Sequence, residues 1–284
     1  MKFATFTLNQ QQRVGYVDAQ GVHPLPASLG RDVKDVIVAL ANGLSQDALK
    51  AQAEAAVDES AIKLLPPVPA PRKIICVGLN YADHTKESPY DQPDYPTLFS
   101  RFSTSLTAHG APIVRPLCSD SLDFEGELAV LIDKGGKHIS KADALSHVFG
   151  YSVFNDGSVR EYQFKSPQWT VGKTFDATGG FGPYVVTADE LPPGAKNLQL
   201  ETRLNGEIVQ SATTSDMLFD VATLIEVITE AITLEQGDVI VAGTPAGIGW
   251  ARNPKLLMRH GDVCEVSIQG IGTLRNPIVD EVKP

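Results

Sequence analysis

Short runs of β-type residues, separated by glycine and proline, fill the chain after residue 73 and constrain its fold more than any other feature. The runs lie at 74–79, 128–132, 184–187, 198–204, 239–242, 264–268 and 273–277. Their spacing is irregular and no βαβ unit repeats, which argues against a doubly wound sheet or an α/β barrel. One helical segment with apolar side chains at helical spacing begins near Asp220. We therefore predict a β-rich α+β fold.

Residues 1–65 have a different pattern and are predicted to form a small N-terminal α+β domain. Strand candidates at 2–7 and 13–17 precede a helix over 33–40 and an Ala-rich helix from Ser45 to about residue 56. Residues 66–72 contain four prolines, form a stiff linker and cannot continue a helix. The domain boundary is placed there, and residues 73–284 would form the second domain.

Composition excludes several classes of protein. No run approaches the roughly 20 apolar residues of a membrane span, and the N-terminus shows no secretory signal. The 3 cysteines are widely spaced and indicate reduced thiols in a cytoplasmic protein. A net charge of −10 argues against a nucleic-acid partner. An anionic small molecule would therefore need a local cationic pocket or a metal.

Two glutamates precede an apolar strand in Asp123-Phe124-Glu125-Gly126-Glu127-Leu128. On an extended strand, residues i and i+2 project from the same face, so both carboxylates would point to one place. Two buried like charges are unfavourable unless they are neutralised, and a divalent metal would do this. A solvated loop at the start of the strand is the alternative.

Asp156 ends a second apolar strand and would supply a third carboxylate. The sequence Ser158-Val159-Arg160-Glu161 has the form of a capping box, which predicts a helix on which Arg160 and Gln163 share a face. Three oxygen ligands suit Mg²⁺ or Mn²⁺ better than Zn²⁺. The alternative for Asp156 alone is that it closes a turn.

Three further features carry candidate chemistry. Lys173 is an isolated cation among apolar or small residues, suited to stabilising an enolate or carboxylate oxygen beside a metal. The glycine-rich turn 243–249 contains Thr244 and lacks the ending of a phosphate-binding loop. His84 and Glu87 are three residues apart, the spacing of a histidine base whose tautomer is fixed by a carboxylate. Each of these also has a purely structural reading, as a surface lysine, an empty turn and a surface ion pair.

Taken together and in this order, these motifs resemble the fumarylacetoacetate hydrolase superfamily. The resemblance covers about residues 73–281, and its five ordered motifs are specific as a set. They are Leu79-Asn80-Tyr81-Ala82-Asp83-His84, Glu125-Gly126-Glu127-Leu128, Asn155-Asp156 with Arg160 and Gln163, Gly172-Lys173-Thr174-Phe175, and the turn 243–249.

The resemblance implies a mixed β-sheet roll, usually a homodimer, with a small N-terminal domain. It implies the following roles: Glu125, Glu127 and Asp156 as ligands of Mg²⁺ or Mn²⁺; His84, Glu87 and Lys173 in catalysis; and Tyr81, Arg160, Gln163 and Thr244 in substrate binding. One departure is Phe99-Ser100-Arg101-Phe102, where family members often have Phe-x-Lys-Pro. Because arginine favours bidentate carboxylate binding, Arg101 is predicted to bind substrate, and a dicarboxylate becomes plausible.

The leading hypothesis is a metal-dependent hydrolase that cleaves a carbon–carbon bond in acylpyruvates such as fumarylpyruvate or maleylpyruvate, in the degradation of aromatic compounds. His84, supported by Glu87, would activate the water. The alternative keeps the same site and decarboxylates, isomerises or hydrates 2-oxo acids through an enolate. A third possibility is a metal-stabilised β-domain without catalytic activity. Residues 88–95 and Arg101 are expected to set the specificity of the pocket.

Overall fold

The structure is a computed structural model that describes residues 1–87 and 91–283. Its strands, in chain order, are β1 (Lys2–Leu8), β2 (Gln11–Asp18), β3 (Gly21–Pro24), β4 (Lys63–Leu64), β5 (Ile74–Gly78), β6 (Thr97–Ser100), β7 (Leu106–Ala108), β8 (Ile113–Arg115), β9 (Leu122–Asp123), β10 (Gly126–Ile132), β11 (Val148–Asp156), β12 (Ser158–Val159), β13 (Gly179–Thr187), β14 (Gln199–Leu204), β15 (Glu207–Thr213), β16 (Val239–Val241), β17 (Val263–Ile268) and β18 (Gly272–Asp280). Its α-helices are α1 (Val33–Ala41), α2 (Gln46–Ala51), α3 (Ala82–Glu87), α4 (Arg160–Gln163), α5 (Thr170–Lys173) and α6 (Val221–Ala231).

Two sheets pack against each other. Over the described residues the larger sheet has 11 strands in the order β3-β2-β1-β13-β11-β10-β16-β5-β6, with β4 beside β1 and β7 beside β13. The smaller has 5 strands in the order β15-β14-β17-β18-β8, and β9 pairs with β12 separately. The pairs β5–β16, β7–β13 and β8–β18 are parallel and the other named pairs are antiparallel. The prediction of a β-rich α+β fold with mixed sheets is confirmed.

The central strand β10 is buried on both faces, which explains its uninterrupted apolar sequence. Leu128 and Val130 pack in a core that also contains side chains of α6 and of the smaller sheet. Ala129 and Leu131 pack on the opposite face in a core that includes α1. The two glutamates that precede and begin this strand are therefore held on a rigid element.

The first 65 residues extend the large sheet. β1 pairs with β13, with Lys2 opposite Val186, and Phe3 packs in the same core as Phe154. Residues 66–72 contain neither helix nor strand, as expected of the proline-rich linker. Because this sheet and core are continuous across the linker, the division into two domains stays a prediction.

The predicted helices are found, with one difference in length. α1 and α6 begin after Asp32 and Asp220, whose carboxylates accept hydrogen bonds from backbone amides in the first turn. The Ala-rich helix α2 ends at Ala51 and does not reach residue 56. The reason is tertiary pairing, because Glu54 N and Val57 N bond to carbonyl oxygens at Pro24 and Val22 of β3. Among the described residues, no helix is long and apolar enough to cross a membrane.

The predicted capping box at Ser158 is wrong. Ser158 lies in β12, its hydroxyl donates to Asp156 O, and α4 begins only at Arg160. The amide of Glu161 instead donates to Ser121 Oγ, and its carboxylate accepts from Ser119 Oγ. The hydrogen bonds at the start of this short helix are thus made by a different chain segment, and the local sequence does not reveal them.

Candidate active site

Three buried carboxylates meet where β10 begins and β11 ends. Their ligand atoms, from Glu125, Glu127 and Asp156, all lie within 4.8 Å of one another. The antiparallel pairing places Gly126 opposite Asn155, and Asp156 N donates to Glu125 O at 2.8 Å. Gly126 is required by space, because a Cβ there would lie 2.2 Å from Thr202 Oγ1. The structure thus brings together the three predicted metal ligands.

Lys173 is buried beside this triad. Its Nζ lies 2.6 Å from Glu125 Oε2 and 2.7 Å from Asp156 Oδ2. Burial alone would lower the pKa of Lys173, but the two carboxylates outweigh this effect and raise it. Burial would likewise raise the pKa of Glu125, whereas Lys173 and Arg160 lower it. Lys173 is therefore a charged ammonium held at the edge of the triad.

Glu127 is the member of the triad for which no ion pair is found among the described residues. Its Oε2 accepts a hydrogen bond from Gly243 N at 2.5 Å. Burial, together with the charges of Asp156 and Glu125, raises the pKa of Glu127 well above its usual value. In contrast, Glu125 and Asp156 each bond to two cationic side chains. The cost of ionising the triad thus falls mainly on Glu127.

Arg101 is not placed to bind substrate, which corrects the expectation from the sequence. Its side chain is fully buried and does not line the cavity described below. The guanidinium donates to Asp156 and to Gly157 O through Nη1, to Thr178 Oγ1 through Nη2 and to Ser105 Oγ through Nε. Because these nitrogens donate to protein groups, Arg101 orients Asp156 instead of holding a substrate carboxylate.

Arg160 and Gln163 lie together on α4, as their spacing predicts, and both line the cavity. Arg160 Nη1 is 2.9 Å from Gln163 Oε1 and 2.6 Å from Glu125 Oε1. Arg160 Nη2 is buried and has no hydrogen-bond partner among the residues that the structure describes. A buried guanidinium nitrogen without an acceptor is costly unless a ligand supplies one. It is the clearest anion-binding donor of the site.

His84 and Glu87 form the predicted pair on α3. His84 Nδ1 is 2.9 Å from Glu87 Oε1, and both residues line the cavity. The Glu87 carboxylate also accepts from Gly247 N at 2.9 Å and from Ile248 N at 3.3 Å, which fixes it to the glycine-rich turn. A carboxylate acceptor at Nδ1 places the ring proton there and leaves Nε2 as the basic nitrogen.

Thr244 and Tyr81, which were also predicted to bind substrate, offer no free hydrogen-bond donor to the cavity. The Thr244 hydroxyl lines the cavity but donates to Gly126 O and accepts from Gln210 Nε2, so its own proton is not available to a ligand. Tyr81 packs in the core and does not line this cavity. Of the predicted specificity segment, residues 88–90 lie outside the described part of the chain, and Tyr95 is exposed.

The site contains a partly open cavity. Its charged and polar lining consists of the side chains of His84, Glu87, Glu125, Glu127, Arg160, Gln163, Lys173 and Thr244. The rest is mainly apolar, with Val77, Leu79, Phe99, Phe164, Trp169, Ile248 and Trp250. Two carboxylates of the triad, a histidine held by a carboxylate and a buried guanidinium thus face one cavity.

Sequence reasoning missed Asp123, which connects several parts of the site. Its buried carboxylate accepts from Arg160 Nε at 2.8 Å, Gly249 N at 2.9 Å and Trp250 N at 3.0 Å. It therefore fixes both the Arg160 guanidinium and the end of the glycine-rich turn. A signal was present, because Asp123 continues the alternation of Glu125 and Glu127 along the strand direction. Gln210, which donates to Thr244 and accepts from Gly126 N, left no such signal.

Replacing Asp123 by asparagine should raise KM by about tenfold or more, because Arg160 loses a charged partner, with a smaller change in kcat. Steady-state kinetics measure KM and kcat separately. Asp220→Asn is the control, since Asp220 also accepts a backbone amide but lies at the start of α6. A lower melting temperature with unchanged KM would show that Asp123 is merely structural.

The comparisons with known proteins agree with this geometry. The sequence profile of the fumarylacetoacetate hydrolase C-terminal family matches residues 73–279, most of the chain. The chain belongs to this family. It is an enzyme family, and the match begins where the linker ends.

Three similar proteins carry names for three different reactions. The oxaloacetate tautomerase YisK of Bacillus subtilis is 39% identical over 302 residues, covering 98% of this chain and 100% of the relative. A crystal structure of a fumarylacetoacetate hydrolase from Exiguobacterium antarcticum has a TM-score of 0.88 and 37% identity, and the match covers 99% of this chain and 100% of that one. A 5-carboxymethyl-2-hydroxymuconate delta-isomerase from Mycobacterium smegmatis has a TM-score of 0.80 and 29% identity, with 100% of both chains covered.

Proposed function

We propose that this chain catalyses the metal-dependent keto–enol tautomerisation of a 2-oxo acid. The observation that carries the proposal is that His84, with its tautomer fixed by Glu87, lines the same cavity as Glu125 and Glu127 of the carboxylate triad. Proton transfer at the carbon next to a keto group is the simplest reaction that this set of groups supports.

The residues present fit a divalent metal. Three buried carboxylates offer only oxygen ligands, which suits Mg²⁺ or Mn²⁺. Glu127 has no cationic partner among the described residues, and its raised pKa reflects the cost of ionising it beside Asp156 and Glu125. Glu125, Glu127 and Asp156 would hold the ion. When bound, it supplies positive charge that polarises the keto group and orients the 2-oxo acid.

Substrate binding is assigned to Arg160. Its buried Nη2 has no acceptor in the described part of the chain, and a substrate carboxylate would provide one. Nε and Nη1 are held by Asp123, Gln163 and Glu125, so the guanidinium is preorganised. The carboxylate end of the 2-oxo acid therefore lies near α4 and the triad.

His84 Nε2 then takes a proton from the carbon next to the keto group. The electron pair of that C–H bond becomes the second bond between the two carbons, and negative charge moves to the keto oxygen. The buried ammonium of Lys173 lies beside the triad, where it stabilises this charge in a site of low dielectric. The solvent supplies the proton that the oxygen takes up and accepts the proton held on His84, which completes the enol and restores the base. The reverse sequence gives the keto acid.

The full-length relative named as an oxaloacetate tautomerase and the structural neighbour named as an isomerase support this reaction type. Both names describe proton shifts without loss of carbon atoms. They support the hypothesis that ranked second on the sequence alone.

Hydrolysis of acylpyruvates is the second candidate, and the His84–Glu87 pair is the observation that favours it. The same nitrogen that takes a proton from carbon would also take one from water. The structural neighbour named as a fumarylacetoacetate hydrolase shows a similar fold.

The experiment that separates these candidates uses the Mg²⁺-loaded protein with two kinds of substrate. Enols of oxaloacetate and phenylpyruvate are followed by their ultraviolet absorbance, and pyruvate release is followed from acetylpyruvate and fumarylpyruvate. We expect rapid enol–keto conversion and little pyruvate. Efficient pyruvate release without accelerated tautomerisation would assign the protein as a hydrolase.

A further inference from the structure

His84 is held by a carboxylate that is itself fixed by two backbone amides. Glu87 accepts from Gly247 N at 2.9 Å and from Ile248 N at 3.3 Å. Its Oε1 lies 2.9 Å from His84 Nδ1. Among the described residues, no lysine or arginine pairs with Glu87. The direction of these two amides, both in the glycine-rich turn 243–249, therefore decides where Glu87 holds the imidazole.

Arg252 binds the opposite end of one of these peptide groups. The carbonyl of Gly247 and the amide of Ile248 belong to one planar trans peptide group, so they point in opposite directions. Arg252 donates to Gly247 O from Nη2 at 3.0 Å and from Nε at 3.2 Å. A guanidinium and the Glu87 carboxylate thus bind the two ends of the same peptide group, and each hydrogen bond in such a series polarises the next.

Arg252 also joins the turn to β15. Its Nη2 lies 2.5 Å from Val209 O. Gly247 has a φ of +107°, and a Cβ there would lie 2.3 Å from the same oxygen. Glycine adopts this conformation without steric cost, but it adopts others as readily. By linking the two carbonyl oxygens, Arg252 opposes rotation of the peptide group whose amide points at Glu87.

Other side chains hold the two ends of the turn. Gln210 Nε2 donates to Pro245 O at 2.8 Å, and Asp123 accepts from Gly249 N at 2.9 Å. Within the described part of the chain, the Arg252 side chain donates to backbone carbonyls alone and does not line the cavity. Its effect on a reaction in the cavity must therefore pass through the turn.

We propose that Arg252 is a positioning residue for the base His84. By fixing the peptide group between Gly247 and Ile248, it aims the amides at Glu87, which in turn keeps the imidazole proton on Nδ1 and leaves Nε2 as the basic nitrogen. This inference rests on the proposed tautomerase function, in which His84 Nε2 takes the proton from carbon.

The first test is the tautomerisation kinetics of Arg252→Met with the Mg²⁺-loaded protein. We expect kcat to fall by about 10- to 100-fold, because a slightly misplaced base loses much of its effect. KM should stay within about twofold, since Arg160 and the triad keep their contacts. Arg252→Lys cannot reproduce the fork of the guanidinium and should show a smaller loss in the same direction. It carries the test where Arg252→Met does not fold.

Arg203→Met is the matched control. Arg203 also donates to the carbonyl of a turn glycine, Gly206 O, at 3.2 Å, but it does not line the cavity and holds no part of the turn 243–249. Its kcat and KM should equal those of the wild type. An unchanged kcat in Arg252→Met, or a loss shared by Arg203→Met, would overturn the inference.

A double variant tests whether Arg252 acts through Glu87. If it does, Arg252→Met should lower kcat no further in a protein that already carries Glu87→Gln, because residues that act as one unit are not additive. Losses that multiply would show that Arg252 acts by another route and would contradict the proposal.

The tautomer of His84 gives a readout without turnover. Nitrogen NMR of histidine-labelled protein, at a pH where the imidazoles are neutral, distinguishes a proton on Nδ1 from one on Nε2, and the signal that His84→Ala lacks belongs to His84. We expect an Nδ1 proton in the wild type and a mixture of tautomers in Arg252→Met. The same tautomer in both proteins would overturn the inference and leave tautomerase activity intact. Absence of tautomerase activity in the wild type would overturn the proposed function instead.

Discussion

Replacement of His84 by alanine should lower the kcat of tautomerisation by about 10²- to 10⁴-fold, the usual contribution of a positioned general base. His84 lines the cavity and its Nδ1 is held by Glu87, so the variant loses the basic nitrogen while the triad and Arg160 keep their positions. Binding of Mg²⁺ together with oxalate, a mimic of the enolate of a 2-oxo acid, should change little. Steady-state kinetics and calorimetry measure the two quantities on the same preparation.

His260→Ala is the control for the loss of a histidine. His260 is exposed, accepts a hydrogen bond from Asp280 N and does not line the cavity. Its kcat should equal that of the wild type. If His84→Ala tautomerised 2-oxo acids at the wild-type rate, another group would have to be the base, and the assignment would be wrong.

Glu127→Gln should have opposite effects on stability and on activity. The carboxamide can still accept the hydrogen bond from Gly243 N, but it removes an ionisable group whose raised pKa in the folded protein costs folding stability at every pH above the ordinary pKa of a glutamate. Without metal, the variant should unfold at a temperature about 2–5 °C higher than the wild type, which corresponds to about 1–2 kcal/mol. With Mg²⁺, kcat/KM should fall by more than about 100-fold, because a metal ligand is lost.

Thermal unfolding with and without Mg²⁺ tests this prediction. The wild type should be stabilised by Mg²⁺, and Glu127→Gln should not, because only a ligand that binds the native state raises stability. Glu226→Gln provides the control, since Glu226 also accepts a backbone amide but lies on α6 outside the cavity. A variant that is less stable than the wild type without metal would show that Glu127 is not strained by its neighbours.

The parts of the site carried by short local patterns were readable from the sequence. Alternation along a strand placed Glu125 and Glu127 together, and helical spacing placed Arg160 beside Gln163 and His84 beside Glu87. These patterns depend only on the geometry of one element. They required no knowledge of how the elements pack.

The errors come from contacts between distant segments. Arg101 was expected in the pocket, but its position is set by Asp156 and Thr178, which lie 55 and 77 residues away. The Ala-rich helix was predicted too long because pairing with β3 overrides helix propensity after Ala51. In the cavity lining, Phe99 pairs with Trp169 and Phe164 with Trp250, contacts between distant segments that no local pattern reveals.

Homodimer formation stays a prediction from the resemblance. It is tested independently of the chemistry by the mass of the protein in solution, measured by light scattering.

The central claim is that His84 moves a proton at the carbon next to the keto group of a 2-oxo acid held at the carboxylate triad. Exchange of those carbon-bound hydrogens with D₂O, followed by proton NMR, measures this step directly and needs no assumption about the final product. We expect rapid exchange with the Mg²⁺-loaded wild type, and exchange at the uncatalysed rate with His84→Ala or after removal of the metal by a chelator. Exchange at the wild-type rate in His84→Ala, or no exchange in the metal-loaded wild type, would contradict the account.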